Sequence, residues 1–143
     1  MEGEAREVAK SIVSTVKEVV LNDRPVAKPA CLVWGGETTV HVTGKGLGGR
    51  NLELALAAAI ALDGVENTVL VTLATDGADG PTDASGAVAG GRTLARCRAM
   101  GLDAFEYLHN NDAYRFFDAL GDLIRTGPTL TNVGDLVFVF VFD

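Results

Sequence analysis

Apolar positions recur at helical spacing in the first twenty residues and form strand-like runs further on. The positions on one helix face are Ala5, Val8, Ala9, Ile12, Val13, Val16, Val19 and Val20. They predict an amphipathic helix that ends before the turn cluster 22–25. Two short apolar runs, 31–34 and 39–42, flank a Gly-Gly-Glu turn and predict a hairpin.

Three longer segments predict the buried layers. Residues 54–62 are apolar on nearly every face, which predicts a deeply packed helix. Residues 68–74 are almost continuously apolar and predict a central strand, and residues 136–142 predict a final strand. The phenylalanines of that final strand share one face, and core packing explains them better than cofactor stacking.

Shorter helices complete the predicted order. A helix is expected from about residue 91 to Met100, because Gly101 suits the position after a helix end. Asp103 is expected to cap a short helical turn, and Asn111 or Asp112 to cap the helix after it. Strands separated by helices predict an α/β layered domain with a mixed β-sheet flanked by helices, formed by residues 1–143 as a single domain.

Composition excludes several classes of protein. The net charge of −7 argues against a nucleic-acid or membrane-surface binder, because both partners reward a basic surface. No apolar run approaches about 18 residues, and residues 1–4 do not resemble a signal peptide. Cys31 and Cys97 are expected to be reduced thiols, with Cys31 a small core residue. The sequence therefore predicts a cytoplasmic protein with no membrane partner.

The chemistry concentrates in the glycine loop, residues 44–53, whose sequence is Gly-Lys-Gly-Leu-Gly-Gly-Arg-Asn-Leu-Glu. Glycine lets a backbone approach a ligand closely, and the helix behind the loop presents unpaired N–H groups and a positive dipole end. Lys45 and Arg50 add positive charge on either side. These features predict a phosphate or carboxylate site. The alternative is a tight strand–helix connection whose glycines serve turn geometry alone.

The same loop nearly matches two nucleotide-binding motifs and fails both. Gly44, Gly46 and Gly49 fit G-x-G-x-x-G, but no acidic residue ends the next strand at the required distance. The Walker A spacing is also present, yet Arg50 and Asn51 stand where lysine and serine or threonine are required. Neither motif therefore predicts a nucleotide site.

Two more polar loops lie beside predicted strand ends. The acidic loop, residues 75–83, carries Asp76, Asp79 and Asp83, which could hold Mg²⁺ through water, orient hydroxyl groups or simply form turns. The third loop, residues 126–135, offers hydroxyl and amide groups, for which a structural role is favoured. The two histidines of the chain have no ligand-like spacing.

Segments 35–40, 44–53, 75–82 and 126–133 together resemble the MOFRL domain, the C-terminal domain of class II glycerate 2-kinases, which are also described as hydroxypyruvate reductases. The resemblance covers essentially the whole chain. It implies ATP-dependent phosphorylation of D-glycerate to 2-phosphoglycerate, with Mg²⁺, in a cleft between two domains. The other domain carries most of the nucleotide site and the catalytic lysine, so the chain is expected to need it, in cis or in trans, and to be a poor kinase alone.

The resemblance also implies a set of site residues. Arg50 is assigned to the glycerate carboxylate or transferred phosphate, and Asp76 to the substrate hydroxyl or a metal-bound water. Glu53, one helical turn along, is expected to fix the Arg50 side chain. The remaining assignments are substrate contacts by Lys45, Gly48, Gly49, Asn51 and Asp79, and support by Thr129 and Asn132. No residue is assigned to a metal.

Three positions depart from the family's pattern: Leu52 replaces a common Gln, Ala113 a common Ser, and Leu130 a common Gly. Leu130 matters most, because it puts a side chain where the cleft wall is expected to be open backbone. Two other hypotheses stay open, a stand-alone module that binds a small carboxylate or phosphate, and a structural or assembly domain without catalysis. A homo-oligomer is also possible, whereas hydroxypyruvate reduction lacks an intact dinucleotide motif.

Overall fold

A computed structural model describes all residues, 1–143. Its helices are α1 (Ala5–Asn22), α2 (Arg50–Ala61), α3 (Thr93–Ala99), α4 (Ala104–His109) and α5 (Ala113–Leu120). Its strands are β1 (Ala30–Gly36), β2 (Thr68–Ala74), β3 (Gly86–Gly90), β4 (Leu123–Ile124) and β5 (Asp135–Val141). They form one sheet in the order β1-β5-β2-β3-β4. The α/β layered class is confirmed, although every pairing in the sheet is antiparallel where a mixed sheet was expected.

Most elements follow the apolar pattern. α1 buries the predicted stripe, β2 spans the predicted residues, and Asp103 caps α4 by accepting from the Phe105 and Glu106 amides. α2 begins at Arg50, four residues before its predicted start, and buries residues 51–59. The apolar pattern does not predict β3 or β4, because β3 contains only glycine, alanine and valine and β4 has only two residues. None of the helices has both the length and the apolar character that crossing a membrane requires.

The predicted hairpin between 31–34 and 39–42 is wrong. β1 pairs with β5 instead, with Leu32 opposite Val139. Residues 39–42 form no strand, because the segment that enters α1 takes up the backbone of Thr39 in an isolated parallel bridge to Glu4. β5 lies between β1 and β2 in the sheet, and both of its faces are apolar.

The helices cover one face of the sheet and leave the other open. α1 packs on β5 and α2 packs on β2 and β3, so the valines of β5 are buried. The phenylalanines of the last strand do share a face, as predicted, but it is the open face, on which Phe142 is 50% exposed. The interpretation of these side chains as core residues is therefore wrong. Cys31 is also exposed rather than in the core.

Antiparallel pairing gathers three loops at one end of the sheet. The glycine loop lies between β1 and α2, the acidic loop between β2 and β3, and the third loop between β4 and β5. Since β1 and β2 end where β3 and β5 begin, all three loops meet there. This end of the sheet carries the candidate site.

Candidate functional site

The segment between α4 and α5 holds the first half of the glycine loop. Five consecutive amides, those of residues 43–47, donate to groups of residues 110–112 at 2.8 to 3.0 Å. A Cβ on Gly46 would lie 2.4 Å from the Asp112 Cβ, so this close approach requires glycine. The Asp112 carboxylate accepts from the Leu47 amide, and neither it nor Asn111 makes the predicted side-chain cap of α5. These amides are therefore not available to a ligand.

Asp79 occupies the N-terminus of α2 from inside the molecule. It is 1% exposed, its Oδ1 accepts from the Asn51 amide at 3.0 Å and from Asn51 Nδ2 at 3.1 Å, and its Oδ2 accepts from the Leu52 amide at 2.8 Å. Burial raises the pKa of this carboxyl, against the opposing effect of the three donors. A Cβ on Gly49 would lie 2.5 Å from the Asp79 Cγ. Asn51 and Asp79 are thus buried and bonded to each other.

Three amides stay open at the turn into α2. The N–H groups of Gly48, Gly49 and Arg50 have no acceptor within the protein. A cavity of about 270 Å³ borders this turn, lined in part by Gly48, Gly49 and Pro81. A Cβ on Gly48 would meet no atom closer than 3.5 Å, so packing does not require glycine there. Open donors and unfilled space therefore coincide at Gly48.

Two carboxylates orient Arg50. Its Nε donates to Asp135 Oδ2 at 2.5 Å and its Nη2 to Oδ1 at 3.3 Å, while Nη1 lies 3.0 Å from Glu37 Oε1. The bond to Asp135 raises the pKa of the guanidinium, against the effect of partial burial. The Asp135 side chain is only 3% exposed, at the start of β5. Sequence reasoning missed Asp135, whose only signal is an acidic residue directly before an apolar strand.

Glu53 lies in a different set of contacts. Its buried Oε1 accepts from Asn111 Nδ2 at 2.7 Å and lies 3.3 Å from Arg6 Nη2. The prediction that Glu53 fixes the Arg50 side chain is therefore wrong. Glu53 instead ties α2 to α1 and to Asn111, which accepts from the glycine-loop amides.

The carboxylates of the acidic loop point to three different places. Asp79 is buried under α2, and Asp83 accepts from the Tyr114 hydroxyl at 2.6 Å and from Arg125 Nε at 3.1 Å. Asp76 is exposed, and its Oδ1 accepts only the amide two residues on, at 3.1 Å. No group of three acidic, histidine or cysteine side chains is placed to hold a metal ion. Asp76 is the one exposed carboxylate of this loop that has no charged partner.

The third loop lies against the acidic loop. The Thr129 hydroxyl donates to the Thr75 carbonyl, and the Thr75 hydroxyl donates to the Gly134 carbonyl at 2.6 Å. Asn132 Oδ1 accepts from the Gly134 amide at 3.0 Å. Leu130 is 99% exposed and has φ 63°, a left-handed conformation that costs a residue with a Cβ about 1 kcal/mol. That conformation gives a physical reason for the glycine that the family often has at this position.

The end of the sheet thus combines Arg50, Asp76 and the open amides. The ammonium group of Lys45 makes no bond or ion pair with any of them and is exposed. Glu37, Asp76 and Asp135 outnumber the single guanidinium of Arg50. The charged side chains named here therefore carry a net negative charge.

Comparison with known proteins finds one family model and relatives with two kinds of name, glycerate kinase and putative hydroxypyruvate reductase. Residues 30–135 match the model of the MOFRL family. The chain is 55% identical over 134 residues to a D-glycerate 2-kinase of Thermotoga maritima, which covers 94% of this chain and 32% of that protein. It is 42% identical over 142 residues to a glycerate 2-kinase of Pyrococcus horikoshii, with 99% and 32% covered. A crystal structure of glycerate kinase from Thermotoga maritima matches with a TM-score of 0.97 at 52% identity, over 99% of this chain and 34% of that chain. This chain therefore spans about a third of the length of these relatives.

Proposed function

This chain belongs to the MOFRL family, and we propose that it is the substrate-side domain of an ATP-dependent glycerate 2-kinase, which converts D-glycerate to 2-phosphoglycerate. The observation that carries the proposal is that Arg50, Asp76 and three open amides belong to loops gathered at one end of the sheet. In this proposal residues 1–143 form a single domain that works in the cytoplasm beside a separate nucleotide-binding domain.

The open amides and Arg50 bind the glycerate carboxylate or the transferred phosphate. The amides of Gly48, Gly49 and Arg50 are unpaired donors at the positive end of α2. A guanidinium has five N–H groups; Asp135 accepts hydrogen bonds from two of them, and Glu37 forms an ion pair at Nη1. At least two N–H groups remain for an anion, on a side chain whose orientation the buried Asp135 already fixes.

Asp76 orients the hydroxyl of glycerate that receives the phosphoryl group. Its carboxylate is exposed beside the end of β2 and has no cationic partner. Phosphoryl transfer depends mainly on positioning of the reacting groups and on charge neutralisation. A carboxylate that accepts the hydroxyl proton contributes to the positioning of that hydroxyl. Asn51 and Asp79 support this geometry because their hydrogen bond holds the start of α2. Thr129 and Asn132 hold the neighbouring loops.

The partner domain supplies positive charge and the nucleotide. Three carboxylates, those of Glu37, Asp76 and Asp135, lie at the end of the sheet that holds Arg50, so a phosphate approaching this end meets repulsion unless counter-charge arrives with it. Mg²⁺ and the catalytic lysine implied for the other domain would provide it. We therefore propose that ATP and Mg²⁺ are bound mainly by that domain, joined to this chain in cis or in trans, and that the chain alone is a poor kinase.

Complementation tests the proposal. The chain is mixed with the remainder of the Thermotoga maritima D-glycerate 2-kinase, the part that this chain does not match. ADP formation that requires both ATP and D-glycerate is expected only in the mixture. A complex that is demonstrable by size-exclusion chromatography and yet inactive would contradict the proposal.

Adjacent glycines separate a ligand role from a packing role. Gly48→Ala is expected to change the free energy of unfolding by less than about 0.5 kcal/mol, because the methyl group finds space. It should raise KM for glycerate in the complemented enzyme by at least roughly tenfold, because the methyl group narrows access to the open amides. Gly49→Ala should cost about 2 kcal/mol of stability, since its Cβ overlaps Asp79. Thermal unfolding and steady-state kinetics measure both effects, and an unchanged KM in Gly48→Ala would contradict the binding role.

A second candidate is a stand-alone module that binds a small carboxylate or phosphate. The open amides favour it, because they belong wholly to this chain. Calorimetry of the isolated chain with glycerate, phosphoglycerates and hydroxypyruvate distinguishes it from a domain that binds only with its partner. Heat with any of these anions, abolished by Gly48→Ala, supports the module.

A further inference from the structure

Tyr114, in the first turn of α5, connects the three loops of the candidate site. Its amide donates to the Leu47 carbonyl of the glycine loop at 3.0 Å. Its hydroxyl donates to Asp83 Oδ1 of the acidic loop at 2.6 Å and accepts from Arg125 Nη2 at 2.9 Å. Arg125 directly precedes the third loop. Tyr114 therefore ties together segments that are distant in the sequence.

The guanidinium of Arg125 completes the cluster around Tyr114. Its Nε donates to Asp83 Oδ2 at 3.1 Å, and its Cζ lies 5.8 Å from the centre of the Tyr114 ring. The Tyr114 hydroxyl, ahead of Arg125, lowers the pKa of the Asp83 carboxyl, against the opposing effect of desolvation. An exposed ion pair alone restrains its partners weakly, whereas here a hydroxyl and a guanidinium that lies over its ring hold one carboxylate. The cluster therefore holds the end of the acidic loop against α5.

The contacts of Tyr114 lie beside two walls of the cavity that borders the open amides. The carbonyl that accepts from its amide belongs to the residue before Gly48, and the carboxylate that accepts from its hydroxyl lies two residues after Pro81. Gly48 and Pro81 both line the cavity. The two loops already touch here, since a Cβ on Gly80 would lie 2.9 Å from the Gly48 carbonyl oxygen. A shift of either loop therefore changes the space beside the open amides.

We propose that Tyr114 is a positioning residue, which holds the acidic loop at a fixed distance from the glycine loop and so sets the affinity for the glycerate carboxylate. The inference rests on the proposed function, because it takes the open amides as the carboxylate site. Tyr114 acts through Asp83 and the glycine loop and contacts no group assigned to the substrate. Its loss should therefore change KM for glycerate rather than kcat or KM for ATP.

Hydrogen exchange of the isolated chain tests whether Tyr114 holds the acidic loop. Tyr114→Phe removes one oxygen atom and keeps the ring beside Arg125. The amides of Asn51 and Leu52 donate to Asp79 of the acidic loop, so their exchange reports on opening of that loop. Exchange of these two amides should speed at least roughly threefold in the variant, because the loop has lost one of its bonds. Exchange at the rate of the parent would overturn the proposal, irrespective of kinase activity.

Kinetics of the complemented enzyme test the consequence for the substrate. Tyr114→Phe should raise KM for glycerate roughly fivefold and leave kcat and KM for ATP within about twofold of the parent. Tyr107→Phe is the matched control, because it removes the same atom from a tyrosine whose ring packs on Phe116, with centroids 5.7 Å apart. A fall in kcat without a rise in KM, or equal changes in the two variants, would overturn the positioning role. An inactive parent mixture would contradict the proposed function instead, and the exchange rates would still decide whether Tyr114 holds the loop.

A double-variant cycle tests whether Tyr114 acts through Asp83. Asp83→Ala removes the same contact at an exposed position, where a substitution leaves the fold intact. Its KM for glycerate should rise at least as much as that of Tyr114→Phe, and the double variant should match Asp83→Ala alone. Effects on KM that multiply in the double variant would overturn the connection between the two residues.

Discussion

Replacing Asp79 with alanine is expected to lower the free energy of unfolding by about 3 kcal/mol. The substitution leaves three donors, the amides of Asn51 and Leu52 and the Asn51 carboxamide, without their acceptor. Asp79 is 1% exposed, so water does not replace the carboxylate unless the loop opens. Chemical denaturation of the isolated chain measures the loss.

Asp76→Ala is the matched control, because it removes a carboxylate from the same loop. Asp76 is exposed and accepts a single local amide, so its loss should cost less than about 0.5 kcal/mol. For activity the larger effect is expected from the other variant. In the complemented enzyme Asp76→Ala should lower kcat by at least roughly a hundredfold. Equal losses of stability in the two variants would contradict the role of Asp79 as the internal partner of α2.

Replacing Arg50 with alanine should lower kcat/KM for glycerate in the complemented enzyme by roughly three orders of magnitude. The variant loses the guanidinium at the start of α2 and leaves Asp135 buried without its partner. Stability should therefore also fall, by about 2 kcal/mol. Kinetics of the complemented enzyme and thermal unfolding of the chain measure the two effects.

Arg50→Lys separates these two effects. Lysine keeps a positive charge for Asp135 but lacks the planar fork that binds two oxygens at once. Most of the stability should return, while kcat/KM stays at least roughly a hundredfold below the parent. Recovery of stability and activity in parallel would show that Arg50 serves only as the structural partner of Asp135.

The apolar pattern predicted the elements whose apolar residues form one helical stripe or a continuous run in a strand. α1 and β2 are of this kind. The apolar pattern could not predict β3, because its glycines are typical of a turn in the sequence. A Cβ on Gly86 would lie 1.8 Å from the Thr72 carbonyl oxygen, so close approach of the backbone selects glycine in this strand.

The apolar pattern also did not indicate which face of β5 the helices cover. Valines alternate with phenylalanines, and either set could form a core. The structure buries the valines because α1 packs on the face of β5 that carries them. The phenylalanines are therefore left on the open face.

The loops of the candidate site were predictable, but most partners within them were not. Arg50 and Asp76 stood out through their neighbours in the sequence. Asp135 lies 85 residues from Arg50 and reaches it only because β5 inserts between β1 and β2. Likewise, the capture of glycine-loop amides by Asn111 depends on how α4 and α5 pack on α2. Such contacts follow from strand order and packing, which no local pattern contains.

A chimera tests the central claim most directly. This chain replaces the matching third of the Thermotoga maritima D-glycerate 2-kinase, to whose structure it matches with a TM-score of 0.97. The measurement is ATP-dependent formation of 2-phosphoglycerate from D-glycerate. We predict turnover in the chimera and its loss in the same chimera with Arg50→Ala. A folded chimera that binds ATP but does not phosphorylate glycerate, beside an active parent, would contradict the assignment of this chain as the substrate-side domain of a glycerate kinase.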